Sequence, residues 1–142
     1  MKTLYTTTAT ALAGRNGQVK TDDGKLDLAL SYPKEMGGSG EATNPEQLFA
    51  AGYSACFSNA ILHVANMAKQ PLKSAPVSAK VGIGANEAGG FALTVSLHVE
   101  LDMPMEAAQQ LVKTAHQVCP YSNAVRGNID VEVTVNGEPL IA

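Results

Sequence analysis

One stretch, from Pro45 to about Lys69, constrains the fold of this chain more than any other. It opens on Asn44-Pro45-Glu46 and runs without another proline until Pro71. Asn44 can cap a helix, Pro45 suits its first position, and Glu46 suits the positive end of the helix dipole. The spacing predicts one helix of about 36 Å. Apolar or small residues fall on nearly every side of it, among them Leu48, Phe49, Ala51, Tyr53, Phe57, Ile61, Val64 and Met67. A helix apolar all round is buried. Asn59, His63 and Asn66 interrupt the run too often for a membrane span. A chain of 142 residues has little material with which to cover such a helix alone. The helix therefore predicts a second copy, a homodimer.

The rest of the chain reads as strands and shorter helices. Residues 3–13 are rich in Thr and suit a strand. Gly14-Arg15-Asn16-Gly17 is a turn, and Val19–Thr21 and Leu26–Leu30 flank a second turn at Asp22-Asp23-Gly24. Leu26, Leu28 and Leu30 alternate as one face of a sheet would. Residues 33–43 form a loop. Val77–Gly84 and Phe91–Leu101 predict a hairpin around Asn86–Gly90, the second strand showing a period of two. A helix starts near Asp102–Pro104, with Ala108, Leu111, Val112, Ala115 and Val118 as its apolar face. Pro120 breaks or restarts it and Gly127 ends that segment. Ile129–Val135 is a last strand before an Asn136-Gly137 turn. The order is α+β, antiparallel sheets around a long central helix, in one domain covering residues 1–142.

Composition removes several classes of function. The net charge of −3 and scattered Lys and Arg argue against nucleic acid. The first nine residues, Met1 to Ala9, lack the apolar core of a signal peptide, so the cytoplasm is the expected location. Thiols there stay reduced, and a disulfide is usually transient. Metal is not expected: no Cys-x-x-Cys and no close His pair occurs.

Cys56 and Cys119 are the two cysteines of the chain. If the fold brings them together, they form a thiol pair able to cycle through a disulfide without a cofactor. Cys56, halfway along the long helix, taken alone reads more readily as a small buried hydrophobe. Cys119 precedes Pro120, and a helix restarting there would favour its thiolate. His116 could share a face with Cys119 and act as a base, though a partly exposed helix histidine is the commoner case. Arg126 is a candidate cation near Cys119. Arg15 reads as a surface charge and Glu46 as a helix-start acid, unless the two meet; an Arg–Glu pair beside a thiol could stabilise its thiolate.

Thr43-Asn44-Pro45-Glu46-Gln47-Leu48-Phe49-Ala50-Ala51-Gly52-Tyr53-Ser54-Ala55-Cys56-Phe57 resembles the first cysteine motif of the organic hydroperoxide resistance (Ohr) proteins of the OsmC/Ohr superfamily. Val118-Cys119-Pro120-Tyr121-Ser122-Asn123 and the residues up to Asn128 resemble the second, and Gly14-Arg15-Asn16-Gly17 the arginine-bearing turn. The resemblance spans essentially the whole chain. It implies an intertwined homodimer with two sites at its interface and a thiol peroxidase acting on organic, especially fatty-acid, hydroperoxides. Cys56 corresponds to the peroxidatic cysteine and Cys119 to the resolving one, with Arg15 and Glu46 as polar partners. It implies a dithiol reductant, the lipoyl group of a partner protein, and no cofactor. Apolar neighbours such as Phe49, Phe57, Tyr121 and Met67 would suit a greasy substrate. Two other classes compete: a non-catalytic lipid-binding module with inert cysteines, and a general thiol–disulfide oxidoreductase, which usually carries the missing Cys-x-x-Cys. Glu46 precedes Cys56 by ten residues on one helix, a rise of about 15 Å, so a site using both expects Glu46 from the partner chain unless the helix breaks near Gly52. Arg15 could come from either chain, with the same partner favoured because the carboxylate would hold it.

Overall fold

A computed structural model describes residues 1–141 of the chain. Its residues group into two compact units, Met1–Leu48 and Phe49–Ala142, and the boundary falls in the first turn of the long helix.

The first unit is built on a three-stranded antiparallel sheet of β1 (Ala9–Leu12), β2 (Gln18–Thr21) and β3 (Asp27–Ala29), in that order. β1 is shorter than the Thr-rich run 3–13 that foreshadows it. Threonine supplies β-propensity, but β2 offers partners only from Ala9↔Thr21 to Leu12↔Gln18. The expected leucine face is also not formed: Leu30 is buried, while Leu28 is exposed. β3 ends before Leu30, which instead bridges Thr43 and brings the chain to the start of the long helix. There the Asn44 side-chain oxygen accepts the Gln47 N–H at 2.9 Å, the cap expected from the sequence.

The helix, α1 (Pro45–Met67), is unbroken over 23 residues. It leads into β4 (Val77–Ala85), β5 (Phe91–Val99), α2 (Met105–Val118), α3 (Pro120–Val125), β6 (Glu132–Val135) and the two-residue β7 (Glu138–Pro139), which the sequence reading does not anticipate. The four strands form one sheet in chain order. β4 and β5 are the predicted antiparallel hairpin, its turn closed by the Asn86 side chain, which accepts N–H groups of Ala88 and Gly90. β5 and β6 pair in parallel. Parallel neighbours need a crossover, and α2 with α3 is that crossover. Ile129 stays outside β6 because its N–H closes the end of α3 on the Val125 carbonyl.

The core of this unit joins Tyr53, Phe57, Ala60 and Ile61 of α1 to Val95, Leu97 and Val99 of β5, Ala108, Val112 and Ala115 of α2, and Val133 and Val135 of β6. The α1 members recur at helical spacing along one side. The helix is thus not buried all round: Ala51, Ala55, Asn59, His63 and Met67 are exposed. By length and composition α1 could cross a membrane, yet its Tyr53, Phe57 and Ile61 side chains are fully buried in this core. On α2, Val118 does not join the apolar face and is 44% exposed, since the helix ends there. Cys119 takes the next place on the stripe after Ala108, Val112 and Ala115, and is fully buried.

Leu97 is completely buried on the central strand β5. Leu97→Ala should destabilise the protein by about 2–5 kcal/mol through lost burial and a residual cavity. Urea unfolding should show a lower midpoint at unchanged slope.

Candidate active site

The four residues singled out from the sequence form two pairs, one in each unit. In the first unit, Ala13 and Gly14 adopt left-handed backbone, and a single turn of 3-10 helix, Gly14–Asn16, presents Arg15. Gly17 is required behind it: a Cβ there would lie 1.5 Å from the Leu12 carbonyl oxygen. Arg15 meets Glu46 in a two-pronged bond, Nη1 to Oε2 at 2.7 Å and Nη2 to Oε1 at 2.6 Å. This is the fork geometry that favours arginine over lysine. Each charge shifts the other. The guanidinium holds the Glu46 carboxyl below the usual glutamate range against the opposing effect of burial, and Glu46 raises Arg15.

In the second unit the two cysteines meet. The Cys119 Sγ lies 3.7 Å from the Cys56 Sγ, and both are free thiols. A disulfide is about 2.05 Å long, so side-chain movement of about 1.6 Å would join them. Cys119 is the N-cap of α3 with Pro120 at its first position, as the sequence suggests, but its side chain makes no capping bond. The Tyr121 N–H instead faces the Cys56 sulfur and favours its thiolate. Burial dominates all the same and pushes the Cys56 thiol up, with Cys119 adding to the rise.

Two residues missed by the sequence reading, Tyr53 and Ser122, hold this corner together with His116, which that reading offers as a base. The buried Tyr53 hydroxyl and Ser122 Oγ are 2.7 Å apart, and Ser122 Oγ is 2.8 Å from His116 Nδ1. Tyr53 lies three residues before Cys56 and Ser122 three after Cys119, so this bond ties the two cysteine-bearing segments together. Helical spacing from each cysteine could have drawn attention to both. Burial raises the Tyr53 phenol. His116 is half-buried and bonded to Ser122 rather than to a cysteine; burial pushes its pKa down, and Arg126 adds to that. Arg126 donates to the His116 carbonyl at 2.7 Å, closing the end of α2. His116, Ser122, Arg126 and Asp130 line a cavity of about 250 Å³. Of the expected apolar neighbours, Phe57 is buried in the core and Met67 is 74% exposed, eleven residues beyond Cys56 along α1. Phe49 and Tyr121 are in edge-to-face contact at 6.3 Å, beside Tyr53. Among the described residues, no three His, Cys, Asp or Glu side chains gather as metal ligands would.

A family model described as OsmC-like protein matches residues 38–134. An organic hydroperoxide resistance protein of Xanthomonas axonopodis pv. citri is 50% identical over 137 residues, covering 94% of this chain and 96% of its own. The chain belongs to the organic hydroperoxide resistance family of OsmC-like proteins.

Solved structures of this family share the fold throughout. A Vibrio cholerae O1 biovar eltor protein assigned to organic hydroperoxide resistance, with captopril bound in one of its active sites, is 69% identical. It superposes with a TM-score of 0.97, covering 99% of this chain and 97% of its own. The organic hydroperoxide resistance protein of Elizabethkingia anophelis is 55% identical at a TM-score of 0.91, with 95% and 98% covered. The family fold is therefore the α+β arrangement described above.

The Arg15–Glu46 pair carries a signature in acid. Because Glu46 titrates below its unfolded value, its stabilisation is complete above about pH 4.3 and is lost as pH falls through the lowered folded value. Glu46→Gln should flatten the fall in melting temperature over that acidic window and leave the slope between pH 6 and 8 unchanged.

Proposed function

We propose that this member of the organic hydroperoxide resistance family is a cysteine-based peroxidase that reduces organic hydroperoxides, alkyl or fatty-acid, to alcohols. One observation carries the reading: the only two thiols in the chain lie 3.7 Å apart, half-buried and buried, on separate elements. The names of the relatives support the substrate class. A lipid-binding module would have no need for this approach of two sulfurs.

The Cys56 thiolate attacks the terminal oxygen of the hydroperoxide. An S–O bond forms, the O–O bond breaks, and the departing alkoxide takes a proton to become the alcohol. Cys119 then attacks the sulfenic sulfur. The S–S bond forms as hydroxide leaves and takes the Cys119 proton as water. A dithiol, which we assign to the lipoyl group of a partner protein, supplies two electrons and two protons by exchange. Such recycling suits the cytoplasm, where reducing dithiols are maintained.

A buried thiol with a raised pKa is a poor nucleophile, so the mechanism needs a cation beside Cys56. Arg15, held by Glu46, is our candidate. The ten-residue interval from Glu46 to Cys56 along an unbroken helix favours supply from a partner chain. The exposed face of α1, with Ala51 and Ala55, supports an intertwined homodimer in which residues 1–142 act as one domain.

Cys56→Ser should abolish consumption of alkyl hydroperoxide with a dithiol. Cys119→Ser should still permit one oxidation of Cys56 while sustained turnover falls. Mass spectrometry of peroxide-treated wild type should find an intramolecular disulfide, and alkyl hydroperoxide should be reduced faster than hydrogen peroxide. Equal single-turnover oxidation of the Cys56→Ser chain would overturn the roles.

Sedimentation should give about twice the chain mass of 14.7 kDa. In purified mixed dimers of Arg15→Ala and Cys56→Ser chains, partner-supplied Arg15 leaves one complete site, and about half the wild-type activity should survive. Near-zero activity would show that Arg15 serves the cysteine of its own chain.

A further inference from the structure

Gly52 lies one helical turn before Cys56 on α1, on the same side of the helix. Helix side chains lean toward the N-terminus, so the Cys56 thiol leans over the turn that holds Gly52. A Cβ at Gly52 would lie 2.8 Å from the Tyr121 hydroxyl oxygen, and 3.1 and 3.2 Å from Cε2 and Cζ of its ring. The phenol therefore fills a notch left by the missing side chain. Its ring is held by Phe49 and Tyr53, with centroids 6.3 and 5.7 Å away. The Tyr53 hydroxyl is committed to Ser122, whereas the Tyr121 hydroxyl has no hydrogen-bond partner among the described residues. Tyr121 is 39% exposed, so the residue is within reach of an entering molecule.

We propose that Tyr121 is a catalytic hydrogen-bond donor to the leaving oxygen of the hydroperoxide, placed beside Cys56 by the notch at Gly52. This rests on the peroxidase reading above. As the thiolate forms its S–O bond and the O–O bond breaks, negative charge collects on the inner oxygen. A donor fixed at that position stabilises the charge where it develops. The alkoxide takes the phenol proton, and water restores it. The assignment gives the notch a chemical purpose: a side chain at position 52 would push the hydroxyl away from the thiol. It also gives the enzyme a preference, because a poor leaving group depends on the donor more than a good one does.

The test uses the Cys119→Ser chain, in which Cys56 is oxidised once, with and without Tyr121→Phe. Stopped-flow rates are measured with tert-butyl hydroperoxide, which releases a basic alkoxide, and with peracetic acid, which releases acetate. Tyr121→Phe should slow the first reaction about tenfold, less than the 10²–10³ typical of an enclosed donor because Tyr121 is partly exposed. The second should change less than twofold. The pH profile of Cys56 alkylation by iodoacetamide should not move, which separates this role from a shift in thiol acidity. Gly52→Ala should reproduce the selective loss, and adding it to Tyr121→Phe should cost little more, since both act on one hydroxyl. Equal slowing with both oxidants would assign Tyr121 to packing, and no slowing would remove it from the reaction; either overturns the proposal. If the parent chain reacts with neither oxidant, the peroxidase reading fails and this proposal fails with it.

Discussion

The burial of one side of α1 is the constraint on which the rest of the second unit depends. Tyr53, Phe57 and Ile61 turn that side into the core, toward side chains of β5, α2 and β6. Once Phe57 is fixed inside, its neighbour Cys56 must sit at the margin of the buried side, neither enclosed nor free. Cys119 arrives there by a separate route, as the last member of the α2 stripe. The separation of the sulfurs is therefore a product of core packing. Interiors pack densely enough to hold such a distance against thermal motion.

The same burial works against the chemistry. Removing a thiol from water disfavours its thiolate, and Cys56 shows that rise. The chain supplies one local counterweight, the Tyr121 N–H at the start of α3. The sequence reading gives that helix start to Cys119; the structure turns it toward the other cysteine. The reason is geometric. The N–H groups of the first turn have no partner within their own helix, and the Cys119 side chain makes no bond to them, which leaves the Tyr121 N–H to the Cys56 sulfur. The Tyr53–Ser122 bond holds the two segments in this relation, because breaking it would leave a buried hydroxyl without a partner.

Much of this was legible one residue at a time. The Asn44 cap, the Asn86 turn and the α2 stripe follow from local chemistry that acts over three or four residues. Strand limits were less legible, because a strand ends where its partner does. The Thr-rich run before Ala9 and the shortened β3 both show this. The all-round apolarity of α1 implies more cover than one chain supplies, and within the chain one sheet and one helix cover a single side of it. The parallel pairing of β5 with β6 leaves no local mark in either strand.

By itself the sequence determined which chemistry is available: two thiols and no more, a fork-shaped cation with a carboxylate at a helix start, and a helix too apolar to stand in water. Its motifs also determined the family. Only the tertiary structure decided that Cys56 and Cys119 lie 3.7 Å apart, that Arg15 grips Glu46 with both prongs, and that Tyr121 fills the notch at Gly52. Local propensity acts along the chain, whereas these distances join residues up to 69 positions apart and exist only after the core has closed.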